Sequence, residues 1–248
     1  MPKPTSRLLE VIRKEYITIN MLRITLGGEA LADFPEDQES GYVKLIFPTK
    51  DGSRLMRTYT IRQQRQTEFD VDFALHGDSG VACHWAQHAQ TGDQIEVGGP
   101  GPKKLISETT DWMIFIGDMT SLPAISVNLA GLPSEAKGYA ILEVQTEADI
   151  QTLQKPDGIE LKWVINLNPG QDSQSLLNHV KTLKWLDGNV AIWAACEFSS
   201  MRALRAFFKE RSDVEKSDLY ISSYWKHGLN EDQHKVKKRE DLDENDAA

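Results

Sequence analysis

The chain has 248 residues with 28 Lys+Arg against 37 Asp+Glu, a formal net charge of −9 that excludes a general nucleic-acid-binding protein. Hydrophobic residues at 40% and charged residues at 26% form an ordinary globular composition, sufficient for one large domain or two of ordinary size and without a bilayer span. The two cysteines, Cys83 and Cys196, are far apart and have no partner at metal-ligand spacing, which excludes a disulfide framework and a zinc site. Leu8-Leu9 is reached without an apolar signal core, so a cytoplasmic enzyme is expected; a monomer with no membrane association is expected as well.

Between residues 8 and 105 short β-rich runs alternate with turn signals: 17–26, then Gly27-Gly28, then 42–47, then a turn over 48–53. Arg57-Thr58-Tyr59-Thr60-Ile61-Arg62 follows as a strand, then 63–67, then 68–75, where Phe69, Val71, Phe73 and Leu75 alternate with Glu, Asp, Asp and Ala. His76-Gly77-Asp78-Ser79-Gly80 breaks that period, 81–89 reads as a short helix, and 94–97 as a strand. These elements predict a compact antiparallel β-barrel over residues 1–105. Gly98-Gly99-Pro100-Gly101-Pro102 is expected to end regular strand.

Behind it the pattern becomes strand-helix alternation. Strands are expected at 112–116, 139–144, 161–167, 189–194 and 219–224, with helices at 124–130, 173–183 and 197–210. This predicts a mainly parallel three-layer α/β domain over 106–228, followed by an acidic polar tail over 229–248 that is a solvated helix or disordered.

The hexapeptide at 57–62 puts Arg57, Tyr59 and Ile61 on one face of a strand and Thr58, Thr60 and Arg62 on the other. A planar cofactor with a phosphate tail would use tyrosine against its ring, threonine on a ring heteroatom and arginine on its pyrophosphate. An exposed amphipathic strand accounts for the same residues. Gly117-Asp118-Met119-Thr120 lies where a parallel strand ends and a helix begins, the place where α/β sheets bind ligands, although it is not a Gly-x-Gly-x-x-Gly fingerprint. Gly77 to Ala82 either offers backbone N–H groups to a phosphate or is a tight turn. His84 and His88, at i and i+4, read as a surface pair rather than a metal site. Residues 1–105 hold 13 Lys+Arg against 14 Asp+Glu, and the remainder 15 against 23; the near-neutral first part allows a basic patch toward an anionic ligand, or is scatter.

Arg57-Thr58-Tyr59-Thr60-Ile61-Arg62, Asp70-Val71-Asp72-Phe73-Ala74-Leu75-His76-Gly77, Gly80-Val81-Ala82 with Trp85-Ala86, Gly99-Pro100, Gly117-Asp118 and Tyr224-Trp225-Lys226-His227-Gly228 occur in an order that resembles the ferredoxin-reductase superfamily. In their wording they resemble its siderophore-interacting proteins, the flavin-dependent ferric-siderophore reductases. The resemblance implies FAD as cofactor, held by Arg57 at its phosphate and by Tyr59 and Thr60 at its isoalloxazine, with His76, Gly80, Val81 and Ala82 completing the seat. Asp118, Thr120 and Ala124 would border it. A ferric siderophore would be the substrate, with electrons from NAD(P)H or a reduced ferredoxin, and no catalytic side chain is required. Ferric siderophores of the catecholate or hydroxycarboxylate type are anionic, which makes Lys44, Lys50, Arg54, Lys103, Lys104 and Lys226 candidates, with Lys50, Lys104 and Lys226 preferred.

Two departures from the family pattern stand out. Val81 replaces a proline and leaves the backbone amides available. Cys196 replaces a glycine in Ala195-Cys196-Glu197, and is either a thiol beside the flavin or a small buried residue at a strand end. A generic flavodoxin or ferredoxin reductase and a non-enzymatic binding protein for an anionic ligand are the competing readings.

Overall fold

The computed structural model describes residues 6–49, 52–75, 80–107 and 109–246. Its contacts divide the chain into one unit of Met1–Leu105 with Pro123–Asn128 and a second of Ile106–Leu122 with Leu129–Ala248.

In the first unit, β1 (Arg7–Thr18), β2 (Met21–Gly27), β3 (Tyr42–Pro48), β4 (Arg54–Thr60), β5 (Gln63–Arg65), β6 (Glu68–Ala74) and β7 (Gln94–Gly101) form a seven-stranded antiparallel sheet. Its order is β4-β3-β7-β1-β2-β6-β5, with the ladder open between β4 and β5, so the expected barrel is a half-barrel. Period-2 alternation sends Leu22, Ile24 and Leu26 of β2 and Phe69, Val71 and Phe73 of β6 into one apolar core, each fully buried. The opposite face of the same strands is polar and paired: Arg23 donates to both Asp72 oxygens at 2.6 and 2.8 Å, and Thr25 Oγ1 donates to Asp70 at 2.6 Å. Helix α1 (Gly80–His88) buries Ala82 and Ala86 against this core. Lys14 Nζ donates to the carbonyls of Gln87 and Ala89 at 3.0 and 2.8 Å, satisfying the last turn of α1.

Two sequence expectations change here. The run expected over 17–26 is the end of β1, a turn, and β2; β1 itself escaped notice because only Leu9 and Val11 alternate inward, and residues 12–16 are exposed. Strand β7 also continues through the glycine-proline run to Gly101, pairing Lys44 with Gly98 and Tyr42 with Gly101 across a register shift. Glycine permits this: Gly99 has φ +121°, and a Cβ on Gly101 would collide with the Tyr42 ring.

In the second unit, β8 (Trp112–Gly117), β9 (Gly138–Val144), β10 (Ile159–Ile165), β11 (Val190–Glu197) and β12 (Leu219–Trp225) form a wholly parallel sheet in the order β10-β9-β8-β11-β12. Strands buried on both faces read as continuous apolar runs, and every residue of β8, β9 and β11 is buried. The chain passes from β8 through α2 (Leu122–Gly131) to β9 on one side, and returns after α3 (Ser175–Lys181) to β11 on the other, so the topological switch lies between β8 and β11. Helix α3 and α4 (Phe198–Lys209) supply Leu176, Leu177, Val180, Met201, Leu204 and Phe208 to the core on one face of the sheet.

The tail after Gly228 forms α5 (Glu231–Asp246), which is neither disordered nor merely solvated. His234, Lys238 and Asp241 share one face by their i, i+4, i+7 spacing. His234 and Asp241 are buried, Lys238 Nζ donates to Ser222 Oγ at 2.8 Å and to the Ser223 carbonyl at 3.1 Å, and Asp241 pairs with Arg202 and Arg205 of α4. Among the described residues no helix is long and apolar enough to cross a membrane, and no group of three His, Cys, Asp or Glu could hold a metal ion.

Candidate functional site

In the first unit the candidate residues gather on β4 and α1. Strand β4 is an edge strand, laddered to β3 alone, with Val43 opposite Tyr59 and Leu45 opposite Arg57. Ile61, just beyond it, is fully buried, so alternation turns Tyr59 inward as well. The Tyr59 ring packs on Phe73 with centroids 4.3 Å apart, and Phe73 in turn meets Trp85 of α1 at 6.1 Å. Tyr59, Val81 and Ala82 therefore pack on one core, although about twenty residues separate them in sequence. Arg57 is half-buried and its Nη1 donates to the Met56 carbonyl at 3.0 Å. Thr60 ends the strand opposite Tyr42.

Arg62 has different surroundings. Burial lowers its pKa from the ordinary guanidinium value, with Asp72 attracting and Arg23 repelling its charge. It belongs to the polar outer face of β2 and β6.

Gly80 opens α1 with φ +55°, and no atom of the described residues is within 4 Å of where a Cβ would stand. The first turn of α1 presents helix-terminal N–H groups. An arginine, a half-buried tyrosine, a strand-end hydroxyl and a helix N-terminus are the donor set of a ligand with a flat ring and a phosphate, and FAD fits it. His76 and Lys50 lie outside the described residues.

In the second unit Asp118 follows β8 directly. Its Oδ1 accepts from Thr120 N at 2.9 Å and Thr120 Oγ1 at 2.6 Å, and its Oδ2 accepts from Glu197 N and Trp225 Nε1, both at 2.8 Å. Burial pushes the Asp118 carboxyl upward and these four donors oppose it. The carboxylate is saturated, so it organises the end of the sheet. Ala124 is buried in the first turn of α2.

Glu197, which sequence reasoning did not single out, caps α4 by accepting from Ser199 N at 2.5 Å and Ser200 N at 3.3 Å, and accepts from His227 N at 3.2 Å. Its place immediately before an amphipathic helix was the available signal. Glu143 was also missed. Burial, and then the charge of Asp118, raises it to about 7. Cys196 is 1% exposed, and burial with the charges of Asp118, Glu143 and Glu197 pushes its thiol far up. Cys196 is a buried residue near the end of β11.

The preferred lysines separate. Lys226 is held by its own domain: it donates to Ser199 Oγ at 3.4 Å, lies 4.0 Å from Glu197 Oε1 and sits 4.8 Å over the Phe198 ring. Lys104 is exposed beyond β7. Lys44 donates to Thr58 Oγ1, and Arg54 pairs with Glu96.

An antiparallel half-barrel carrying an Arg-x-Tyr-Thr strand, followed by a parallel sheet with a polar cluster at its switch point, is the architecture of the ferredoxin-reductase superfamily. Residues 110–228 match the family described as siderophore-interacting protein, and residues 10–55 and 49–104 match the siderophore-interacting FAD-binding domain. The ferric vibriobactin reductase of Vibrio cholerae is 34% identical over 260 residues, covering 96% of each chain. The NADPH-dependent ferric-chelate reductase of Escherichia coli is 27% identical over 242 residues, covering 88% of this chain and 92% of that protein. The siderophore-interacting protein SipS from Aeromonas hydrophila superposes with a TM-score of 0.86 at 28% identity, covering 97% of this chain and 99% of that one. The chain belongs to the siderophore-interacting protein family.

Proposed function

We propose that this protein is an FAD-dependent reductase of ferric siderophores that acts in the cytoplasm with electrons from NAD(P)H or a reduced ferredoxin. The observation that supports the reading is the first-unit core on which Tyr59 of β4 and Val81 and Ala82 of the first turn of α1 pack together, within residues that match a siderophore-interacting FAD-binding domain. Arg57 and the first-turn amides of α1, at Gly80, Val81 and Ala82, would hold the phosphates. Tyr59 and Thr60 would orient the ring, and His76 belongs to the same proposed seat. When bound, FAD supplies the exchange between a two-electron donor and a one-electron acceptor, which no side chain here performs. Reduction of the substrate iron from Fe(III) to Fe(II) weakens its hold on hard oxygen ligands and frees it. No proton has to be moved at the iron, so the residues position and do not catalyse.

The saturated Asp118, bonded to Thr120, would keep the end of the parallel sheet in one shape for the electron donor, and Ala124 is proposed for the same role. Lys50, Lys104 and Lys226 are proposed to attract the anionic chelate; Lys226 contributes its field from a fixed position. The names of the Vibrio and Escherichia relatives support the substrate class, and the latter supports NADPH as donor.

Purified protein should carry or take up FAD with the absorbance of oxidised flavin. Under anaerobic conditions it should reduce a ferric triscatecholate, with NADH, NADPH and reduced ferredoxin compared as donors. Colourless protein that FAD cannot reconstitute removes both reductase readings and leaves the ligand-binding one. Flavin reduction without preference for ferric chelates favours the generic reductase.

A further inference from the structure

The parallel sheet of the second unit ends on β10, which among the described residues is laddered to β9 alone. The opposite edge strand, β12, has α5 against it, and Lys238 of that helix donates to the Ser223 carbonyl at 3.1 Å. Strand β10 keeps a row of backbone N–H and C=O groups directed away from the sheet over about 23 Å, seven residues at 3.3 Å each. Its side chains sort by face. Glu160 is in register with Tyr139 and Lys162 with Ile141, both in the core beneath α3 and α4. Glu160 and Lys162 therefore stand at the rim of that face, with Lys162 Nζ 5.6 Å over the Tyr139 ring and 3.5 Å from Glu160 Oε1. Their side chains are 31% (Lys162) and 60% (Glu160) exposed. Ile159, Leu161 and Trp163 take the other face.

Charges on an edge strand ordinarily keep a second strand away. Opposite charges two residues apart are more selective. When β10 pairs with itself about a two-fold axis, the antiparallel register centred on Leu161 sets Glu160 opposite the partner's Lys162 and Lys162 opposite the partner's Glu160. Four charges then alternate around one square. The same register sets Ile159 opposite the partner's Trp163 and Leu161 opposite its own copy, and brings the exposed Ile165 and Leu167 level with the partner's turn at 155–157. A shift of the centre to Glu160 or to Lys162 sets that residue against itself. We infer that β10 is the interface of a homodimer, in which a second copy of this chain adds antiparallel in the Leu161-centred register and joins two five-stranded sheets into one. The inference stands apart from the flavin reading, because β10 carries none of the residues proposed for the cofactor.

The test is sedimentation velocity of the full-length protein from about 1 to 200 µM, the range in which a small interface associates. The wild type should move from monomer toward dimer as concentration rises. Glu160→Lys and Lys162→Glu should each raise the dissociation constant at least about tenfold, because each sets like charges opposite one another. The double variant Glu160→Lys/Lys162→Glu should dimerise again. So should an equimolar mixture of the two single variants, in which the lysines of one copy face the glutamates of the other. A local role of the Glu160–Lys162 pair within one chain predicts no recovery on mixing. Both side chains reach solvent, so neither substitution opens the core, and urea midpoints check that the variants fold. A wild type that stays the monomer expected from the sequence at all these concentrations overturns the inference. So does a dimer that the single variants keep, or one that mixing them does not restore.

Discussion

Arg57 and Arg62 stand five residues apart in one motif and have opposite surroundings. Arg57 lies half-buried on β4, whereas Arg62 lies in the field of Asp72 and Arg23 on the far face. Arg57→Ala should weaken FAD binding by roughly ten- to a hundredfold, the worth of a charge-assisted hydrogen bond, and Arg62→Ala should change it little. Flavin titration of both variants checks this, and equal losses would remove the division of labour. A second pair of residues governs the response to pH. Glu143 titrates at about 7 against 4.5 in the open chain, so between those values the folded state binds more protons and stability falls as pH rises. His234, buried with Ser223 Oγ 2.8 Å from its Nε2, titrates at about 4 against 6.5, so the unfolded state binds more protons and stability rises with pH over that window. The two slopes oppose each other between pH 4.5 and 6.5. Glu143→Gln should leave the His234 slope exposed, a gain of roughly 3 kcal/mol from pH 4 to 6.5 in urea unfolding. A variant with the wild-type profile would show that the two groups do not oppose each other.

At the scale of elements, α5 is tied to the domain through charged and polar side chains. Among its described side chains the buried ones are His234 and Asp241, and Asp241 pairs with Arg202 and Arg205 of α4. Asp241→Ala leaves two guanidinium groups without their carboxylate and should cost about 3 kcal/mol, read from urea midpoints. Removing an acid from an acidic surface helix would cost almost nothing. This contrast also explains which elements the sequence disclosed. β6 was legible because Phe69, Val71 and Phe73 enter a core at strict period 2, and β11 because Val190-Ala191-Ile192-Trp193-Ala194 is buried on both faces. α5 was not, because polarity in sequence does not distinguish a solvated carboxylate from one buried between two arginines. β1 was not, because its outer half has no apolar face to report.

For the whole molecule, the order of pieces carried more than any one of them. The Arg-x-Tyr-Thr strand, the glycine turn and the later α/β domain were each ambiguous, and their succession identified the family. The candidate seat on β4 and α1 was legible because its residues lie in local motifs. The Asp118 cluster was not, since its partners Glu197 and Trp225 are 79 and 107 residues away, and no local pattern announces them. That carboxylate joins the ends of β8, β11 and β12. The consequence is temporal. Three strand ends held by one buried group must let go together, so this edge of the sheet has no small opening motion of its own. In native-state hydrogen exchange the Glu197 amide and the Trp225 indole N–H should exchange at one shared rate, that of full unfolding of the unit. Faster exchange at either would show that the ends move separately. If the electron donor docks here, as the proposed function has it, it would meet a surface already set, and its rate of docking should follow diffusion and charge rather than waiting for the protein to rearrange.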